Sequence, residues 1–188
     1  MKLAVVTSNP HKAAEIAAFF GPAFRIEHVS LEIPEYRHDD VGEIARRKAE
    51  YAYRVIRGPL MVDDTAFSVM ALGRFPGPYA AYVLATIGYE GILKLLDGIP
   101  DRKASFETAI ACATAEGVEV FRGRLDGLIV APRGTGGFGY DPIFEVNGTT
   151  LAELSLAEKN RISHRAQALE KVRRWLGQRA GNGADENR

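Results

Sequence analysis

The sequence contains a single cysteine, Cys112, so no disulfide bond can form within the chain. It also has no apolar stretch of about 18 residues, the length that a membrane-spanning helix requires. The apolar run at residues 3–6 is too short to be the hydrophobic region of a signal peptide. We therefore expect a soluble protein of the reducing cytoplasm that does not associate with membranes, in which Cys112 is a small buried side chain.

The sequence has no excess of charge, because 24 basic residues balance 24 acidic ones. No overall electric field therefore draws the protein to nucleic acid or to an anionic membrane, and any site for a polyanion has to be built from local charges. The 188 residues are enough for one domain with a substantial core. We predict a single domain over residues 1–178, followed by a polar, frayed tail over residues 179–188.

Apolar residues recur at alternating strand and helix spacings, which is typical of an α/β domain. Predicted strands cover residues 3–6, 24–29, 60–62, 105–115 and 118–130, the last two as an antiparallel hairpin. Predicted helices begin at Asn9-Pro10, at Val41, and at Ser155 or Ser163, and a helical lobe covers residues 75–96. The third strand is expected to end at the acidic pair Asp63-Asp64.

A predicted strand-to-helix turn near the N-terminus contains Thr7, Asn9 and Lys12. The free amide groups at the start of a helix and the positive end of its dipole are suited to bind a phosphate held above the end of the strand. Lys12, one turn into the helix, adds a full positive charge. The alternative is a capped surface helix with a solvated lysine, and these residues alone do not exclude it.

Three carboxylates come next along the chain. Asp63 and Asp64 follow a buried strand, where α/β sheets usually bind ligands, and Glu43 lies in the first turn of the preceding helix. Hard oxygen ligands of this kind suit Mg²⁺, which takes one or two carboxylates and completes its octahedron with water and phosphate oxygens. A carboxylate that is not a ligand can deprotonate water for attack on phosphorus. The alternatives are a polar turn and a glutamate that complements the helix dipole.

The third cluster follows a loop with four glycines among residues 134–139. Phe138 or Tyr140 beside this loop can stack on a base, because glycines allow close backbone approach. Arg165 and His164 can donate hydrogen bonds to a carbonyl oxygen on a base edge, and Lys159 can reach a triphosphate. The alternative is a core aromatic residue and a helix-capping Ser-His pair. Together, the three clusters predict a site for a nucleoside triphosphate.

These segments resemble the inosine triphosphate pyrophosphatase family over nearly the whole chain. The resemblance rests on Thr7-x-Asn9-x-x-Lys12, on Glu43 and on four longer motifs: VDDTAFSVMALGRFPGPYAAYV at 62–83, FRGRLDGLIVAPRG at 121–134, FGYDP at 138–142 and AEKNRISHRAQAL at 157–169. It implies an elongated α/β fold with a central mixed, strongly twisted sheet, helices in two lobes, a cleft between the lobes, and a homodimer. It also implies hydrolysis of inosine and xanthosine triphosphates and their deoxy forms to monophosphate and pyrophosphate.

The same resemblance implies a role for individual residues. Asp64 matches the family's catalytic carboxylate, which activates water for attack on the α-phosphorus. The Mg²⁺ site matches Glu43, Asp63 and Asp64, the phosphate site matches Thr7, Asn9, Lys12 and Lys159, and the base pocket matches Phe138, Asp141, His164 and Arg165. Ser163 belongs to the last motif, and we expect it to be a helix cap. The role of Lys48, which falls near a lysine that some members use, stays open.

One departure concerns the three residues after the acidic pair. They are Thr65-Ala66-Phe67 here, whereas many bacterial members have Ser-Gly-Leu, and this points to an archaeal-like or eukaryote-like subgroup. Two other functions fit parts of this pattern. A pyrophosphatase for thymidine or modified pyrimidine triphosphates is disfavoured by the His164-Arg165 motif and the loop at 138–142. A nucleotide sensor without catalysis has little use for three carboxylates near its phosphates, since they repel the ligand unless a metal intervenes.

Overall fold

The computed structural model describes residues 2–23 and 25–185. Over these residues the strands are β1 (Lys2–Val6), β2 (Arg25–Val29), β3 (Leu60–Val69), β4 (Pro76–Gly77), β5 (Lys103–Thr114), β6 (Gly117–Ile129), β7 (Phe144–Val146) and β8 (Thr149–Thr150). The helices are α1 (Pro10–Phe20), α2 (Val41–Ile56), α3 (Ala80–Leu95), α4 (Leu156–Ile162) and α5 (His164–Asp185). None of the helices in the described ranges is both long and apolar enough to span a bilayer.

All the strands belong to one sheet, in the order β2-β1-β3-β5-β6-β7-β8, with β4 beside β3. β1 runs parallel to β2 and to β3, whereas β3, β5, β6, β7 and β8 pair in antiparallel fashion. The predicted mixed sheet flanked by helices is therefore confirmed, as is the hairpin of β5 and β6. The predicted strand at 24–29 is present from Arg25 onward, and Phe24 lies outside the described residues.

Helices cover both faces of the sheet. α2 packs on one face through a stripe of fully buried alanines, Ala45, Ala49 and Ala52. The part of the sheet that contacts this stripe also contains small residues, for example Ala111. Because both surfaces are small, the helix can pack close to the strands. α1 and α5 cover the opposite face, where Leu169 and its neighbours on α5 pack on β3 and β5. A further cluster around Phe67 joins α3 to the far half of the sheet and forms the second lobe.

Local sequence chemistry sets the helix ends. Asn9 caps α1, since its Oδ1 accepts hydrogen bonds from the backbone amides of His11 (2.9 Å) and Lys12 (3.3 Å), and Pro10 is the first helical residue. Ser155 opens α4 with a capping box. α4 ends two residues before α5 begins, so both predicted starts of the last helix exist. The Oγ of Ser163 accepts a bond from the amide of Ala166 at 3.1 Å, as expected of a cap.

β3 does not end at the acidic pair, and this prediction was wrong. The strand continues through Asp63 and Asp64 to Val69, because β5 pairs with it along its entire length, from Leu60 opposite Ala113 to Val69 opposite Ala104. Side chains alternate across a strand, so the two neighbouring carboxylates leave the backbone on opposite faces of the sheet. The acidic pair therefore lies within a strand and does not form a turn.

One edge of β3 is open at its centre. β1 pairs only with residues 60–62 and β4 only with Phe67 and Ser68, so within the described chain residues 63–66 have no strand partner on that side. The acidic pair lies in this gap.

Gly123 on β6 allows α5 to start directly against the sheet. A Cβ atom at this position would collide with the carbonyl oxygen of His164 and would come within 2.8 Å of the backbone nitrogen of Ala168. Only glycine removes that obstacle. The predicted frayed tail over 179–188 stays a prediction: the backbone is helical to Asp185, and residues 186–188 lie outside the described part of the chain.

Candidate active site

A cleft of about 870 Å³ lies between the two lobes, at the open edge of β3. It brings together residues that are distant in sequence: the start of α1, the middle of α2 and β3, the loop before Asp141, and the first turn of α5. Nine of the predicted site residues line it: Asn9, Lys12, Asp64, Phe138, Tyr140, Asp141, Lys159, His164 and Arg165. Among the described residues, Thr7, Glu43 and Asp63 are predicted members that do not line this cleft.

Asp64 projects into the cleft beside a lysine. Its Oδ2 lies 2.7 Å from the Nζ of Lys48 on α2, and its Oδ1 accepts a hydrogen bond from the backbone amide of Thr65 at 3.0 Å. Burial opposes the charge on Lys48, but the neighbouring Asp64 and then Glu35 outweigh it and raise the pKa of the lysine above its ordinary value. Lys48 therefore has a definite neighbour, the Asp64 carboxylate at the cleft wall, although the sequence left the role of this lysine open.

Asp63 points the other way and holds two cations. Its Oδ2 lies 3.0 Å from the Nε of Arg165 and 3.4 Å from the Nζ of Lys12. Burial opposes ionisation of this carboxyl, but Lys12 and Arg165 outweigh it and hold its pKa below the ordinary value. Asp63 is therefore an anchor for the basic side of the site, on the face away from Asp64.

Glu43 is also apart from Asp64. Its Oε1 accepts a hydrogen bond of 2.8 Å from Arg47, one turn further along α2. Ile44 and Lys48, four residues apart, share the face of α2 that lines the cleft. Glu43 is five residues from Lys48, which turns it roughly 140° away around the helix axis. The predicted trio of metal ligands is thus not assembled, and the described residues contain no group of three or more His, Cys, Asp or Glu placed to hold a metal ion.

A buried glutamate that the sequence analysis missed joins the basic residues. Glu15 on α1 contacts Arg165 Nη1 through one carboxylate oxygen and Lys159 Nζ, at 2.6 Å, through the other. The same Nζ lies 2.6 Å from the Oδ2 of Asp141. Glu15 is three residues after Lys12, so the helical spacing that singled out Lys12 could have indicated it. Asp63, Glu15 and Asp141 together balance Lys12, Lys159 and Arg165.

Phe138 is the aromatic residue available to a base. Its ring stacks on His11 with centroids 5.1 Å apart, and the ammonium group of Lys159 lies 4.7 Å from its centroid. Tyr140, the other predicted candidate, is only 3% exposed, stacks on Phe67 at 4.3 Å and donates its hydroxyl to the carbonyl of Ala80 at 2.8 Å. Both the ring and the hydroxyl of Tyr140 are therefore engaged in the core of the second lobe, which favours Phe138.

His164 is a buried, uncharged donor or acceptor at the cleft wall. Its ring stacks on Phe106 with centroids 4.7 Å apart, and its Nδ1 lies 2.6 Å from the Oγ1 of Thr108. Burial first, and then the charges of Arg165 and Lys159, lower the pKa of this imidazole well below 6.5. The neutral ring has one protonated and one unprotonated nitrogen, so it can distinguish a donor from an acceptor.

Comparison with known proteins identifies the family. Residues 3–175 match the model of the Ham1 family. This chain belongs to the Ham1 family. Its relatives include a dITP/XTP pyrophosphatase of Pyrobaculum aerophilum, which is 46% identical over 95% of this chain and 98% of the relative. An inosine triphosphate pyrophosphatase of Aspergillus fumigatus is 43% identical over 94% and 95%, respectively. The structure of a HAM1 protein from Coxiella burnetii superposes with a TM-score of 0.83 at 30% identity, over 95% of this chain and 99% of that one.

The resemblance inferred from the motifs is thereby confirmed. The likeness to the Coxiella burnetii HAM1 structure also agrees with the mixed α/β architecture described above. In this Ham1 protein the first turn of α1 is a less open anion site than its sequence suggested, because Asn9 Oδ1 already accepts bonds from two of the free amides. The same bonds direct the oxygen of the Asn9 side chain inward, so its NH₂ group is the donor left for the cleft.

The burial of His164 predicts a pH effect on the stability of this Ham1 protein. The unfolded chain takes up a proton on this imidazole below about pH 6.5, whereas the folded protein, with its lowered pKa, does not. The free energy of unfolding should therefore fall as the pH falls, by at most about 2 kcal/mol between pH 7 and pH 5 from this residue alone. Urea unfolding of the wild type and of His164→Gln at both pH values measures it. If the free energy of unfolding changes equally with pH in the two proteins, the expected proton uptake by His164 is contradicted.

Proposed function

We propose that this protein is a pyrophosphohydrolase for non-standard purine nucleoside triphosphates, namely inosine, deoxyinosine and xanthosine triphosphates. It would convert them to the nucleoside monophosphate and pyrophosphate and so remove them from the nucleotide pool. The observation that supports this most directly is the cleft itself. Its lining includes the carboxylate of Asp64, the ammonium group of Lys159, the aromatic ring of Phe138 and a neutral imidazole at His164. Relatives named dITP/XTP and inosine triphosphate pyrophosphatases support the same assignment.

The chemistry follows from the position of Asp64. The carboxylate accepts a proton from a water molecule as the water oxygen forms a bond to the α-phosphorus. The bond from the α-phosphorus to the bridging oxygen then breaks, and pyrophosphate leaves with that oxygen. The ammonium group of Lys48, 2.7 Å from Oδ2, orients the Asp64 carboxylate. Asn9, Lys12 and Lys159 would hold the phosphates.

Mg²⁺ is part of the proposal as a cofactor. Asp63 Oδ1 is a buried carboxylate oxygen without a hydrogen bond among the described residues, whereas Asp64 Oδ2 pairs with the Nζ of Lys48 at 2.7 Å, and of these two residues only Asp64 lines the cleft. A single carboxylate is enough for Mg²⁺ when substrate phosphates and water supply the other ligands. Asp64 would hold the ion against the triphosphate, and the ion would supply neutralisation of the phosphate charge. Glu43 and Asp63 would not contact it in this geometry.

The base is selected by its atom at position 6. Hypoxanthine and xanthine have an oxygen there, whereas adenine has an amino group, so a donor from His164 or Arg165 gains a bond only with the former. The wrong base leaves buried polar groups unpaired, and such sites discriminate by about 10⁴ at best. Guanine shares the 6-oxo group, so its rejection requires contacts at the 2-amino position.

We also propose that the protein is a cytoplasmic homodimer. Phe75, Tyr79 and Tyr82, near the start of α3, are 41%, 43% and 71% exposed. Exposed aromatic side chains of this kind are typical of surfaces that a second subunit covers, and Tyr79 and Tyr82 also belong to the lining of the cleft. Burial raises the pKa of the Cys112 thiol to about 12, so it stays protonated and unreactive inside the cell.

The test is product identification with inosine triphosphate and Mg²⁺ beside ATP and GTP at equal concentration, with pyrophosphate and free phosphate followed separately. We expect pyrophosphate and monophosphate from inosine triphosphate, and little from ATP or GTP. Release of free phosphate would instead indicate a phosphatase. Nucleotide binding without turnover would indicate a sensor. In a parallel reaction with thymidine triphosphate, a rate at least equal to that with inosine triphosphate would indicate a pyrophosphatase for pyrimidine nucleotides.

A further inference from the structure

A row of three short contacts links Arg165 to His164 through two threonines. Arg165 Nη2 donates to the Oγ1 of Thr65 at 3.2 Å, Thr65 Oγ1 lies 2.8 Å from Thr108 Oγ1, and Thr108 Oγ1 lies 2.6 Å from His164 Nδ1. Thr65 on β3 and Thr108 on β5 are direct cross-strand partners. The sheet register therefore places the two hydroxyls side by side, between the guanidinium and the imidazole.

The direction of the protons along this row follows from what each group can do. A guanidinium can only donate, so Thr65 Oγ1 accepts from Arg165 and its own proton needs an acceptor. The neighbouring Thr108 Oγ1 supplies one, and the Thr108 proton then points at His164 Nδ1. In the opposite direction, Thr65 Oγ1 would accept two bonds and its own proton would have no acceptor in the row. Thr65 lines the cleft, so water would be the acceptor left for that proton, whereas the first arrangement pairs both hydroxyls within the protein and is therefore favoured.

This direction determines which nitrogen of His164 is protonated. Nδ1 accepts a bond from Thr108 and is therefore bare, and in a neutral ring the proton is then on Nε2. Nε2 has no hydrogen-bond partner within the described residues, and His164 lines the cleft. The stack on Phe106 fixes the plane of the ring. A hydrogen-bond donor in a fixed direction is the result.

We propose that Thr65 and Thr108 are positioning residues that hold His164 as the Nε2–H tautomer, so that its ring presents a donor, and not an acceptor, to the edge of a bound base. The inference rests on the proposed function, because it assigns the discrimination between 6-oxo and 6-amino purines to these two hydroxyls. With the proton on Nδ1 instead, Nε2 would accept a bond from the amino group of adenine. The direction of the hydrogen bonds through the two threonines therefore determines whether a 6-oxo or a 6-amino purine can pair with His164.

The tautomer is measured first, without any nucleotide. Two-bond proton–nitrogen correlation spectra of the wild type, labelled with ¹⁵N in histidine, distinguish the Nε2–H from the Nδ1–H form of a neutral imidazole. His164→Gln identifies the signal of this residue. We expect a neutral ring protonated on Nε2 at pH 7. A ring protonated on Nδ1, or a charged ring, would overturn the proposal whatever the enzyme hydrolyses.

The second measurement separates the hydroxyl of Thr108 from its shape. Thr108→Val keeps the shape and removes the hydroxyl, whereas Thr108→Ser keeps the hydroxyl and removes a methyl group. We expect Thr108→Val to lower kcat/KM for inosine triphosphate by about 10- to 100-fold, mainly by raising KM. The ratio of kcat/KM for inosine triphosphate to kcat/KM for ATP should also decrease. Thr108→Ser should stay within about threefold of the wild type. A serine variant as impaired as the valine variant would show that packing alone matters.

The two threonines should also act as one unit. We expect Thr65→Val also to lower the ratio of kcat/KM for inosine triphosphate to that for ATP. The Thr65→Val/Thr108→Val double variant should have the same ratio as Thr108→Val alone, because the single substitution already interrupts the row of hydrogen bonds. If the two substitutions lower this ratio additively, the two threonines act independently, and the proposed row of hydrogen bonds is contradicted. If the wild type does not hydrolyse inosine triphosphate at all, the proposed function fails, but the correlation spectra still decide the tautomer.

Discussion

Replacing Asp64 with asparagine is expected to lower kcat for inosine triphosphate by about 10³-fold or more. Asparagine cannot accept the proton of the attacking water, and general-base catalysis contributes about 10²–10⁴-fold, with any loss of metal binding in addition. The fold should persist, because the asparagine oxygen can still accept the bond from the amide of Thr65 that Asp64 Oδ1 accepts now. Steady-state kinetics and nucleotide titration of the variant measure turnover and affinity separately.

Asp126→Asn is the matched control for this experiment. Asp126 lies on β6 with its side chain 71% exposed and pairs with Arg124 on the surface, away from the cleft. The same chemical change should leave its kcat unchanged. Turnover by Asp64→Asn at more than about a tenth of the wild-type rate would assign the base to another group, since a general base that is lost costs more than that.

Replacing Arg165 with leucine is expected to reduce the free energy of unfolding by about 3–5 kcal/mol. The change removes the cation shared by Asp63 and Glu15 and leaves both carboxylates buried beside only their lysine partners. Breaking a buried ion pair by removing one partner has this magnitude, because the remaining charge stays out of water. Urea unfolding at pH 7 measures the loss, which is a large fraction of the roughly 5–15 kcal/mol by which folded domains are usually stable.

Two further variants identify the cause of that loss. Arg174→Leu on α5 removes an arginine that is 72% exposed and pairs with Glu170 at the surface, and it should alter stability by less than about 1 kcal/mol. Arg165→Lys keeps the charge but not the planar fork that reaches Asp63, Glu15 and Thr65 together. It should recover only part of the stability. A loss below 1 kcal/mol for Arg165→Leu would mean that the network contributes little.

The sequence was informative wherever the cause of structure is local. The helix starts at Asn9-Pro10 and at Ser155 depend on residues within a few positions of one another, and both are confirmed. The length of β3 was mispredicted because it depends on β5, which is some forty residues further along the chain. No local signal shows how far a distant strand will pair.

The same distinction applies to the site. The basic and aromatic residues were recognised by type, but their pairing was not. Glu15 was overlooked because its partner Arg165 lies 150 positions away, and its spacing from Lys12 indicates a shared helix face but not burial. Phe138 and Tyr140 could not be separated by sequence, because both follow the same glycines. Their separation depends on Phe67, which takes one of the two rings into the core.

The uninterrupted course of β3 through Asp63 and Asp64 has a consequence for variation among relatives. One of these adjacent residues anchors cations in the interior and its neighbour faces the cleft, solely because successive side chains alternate. Insertion or deletion of a single residue upstream within the strand would exchange the two surroundings and would also separate Thr65 from Thr108. Relatives should therefore tolerate changes of residue type in this strand more readily than changes of its length.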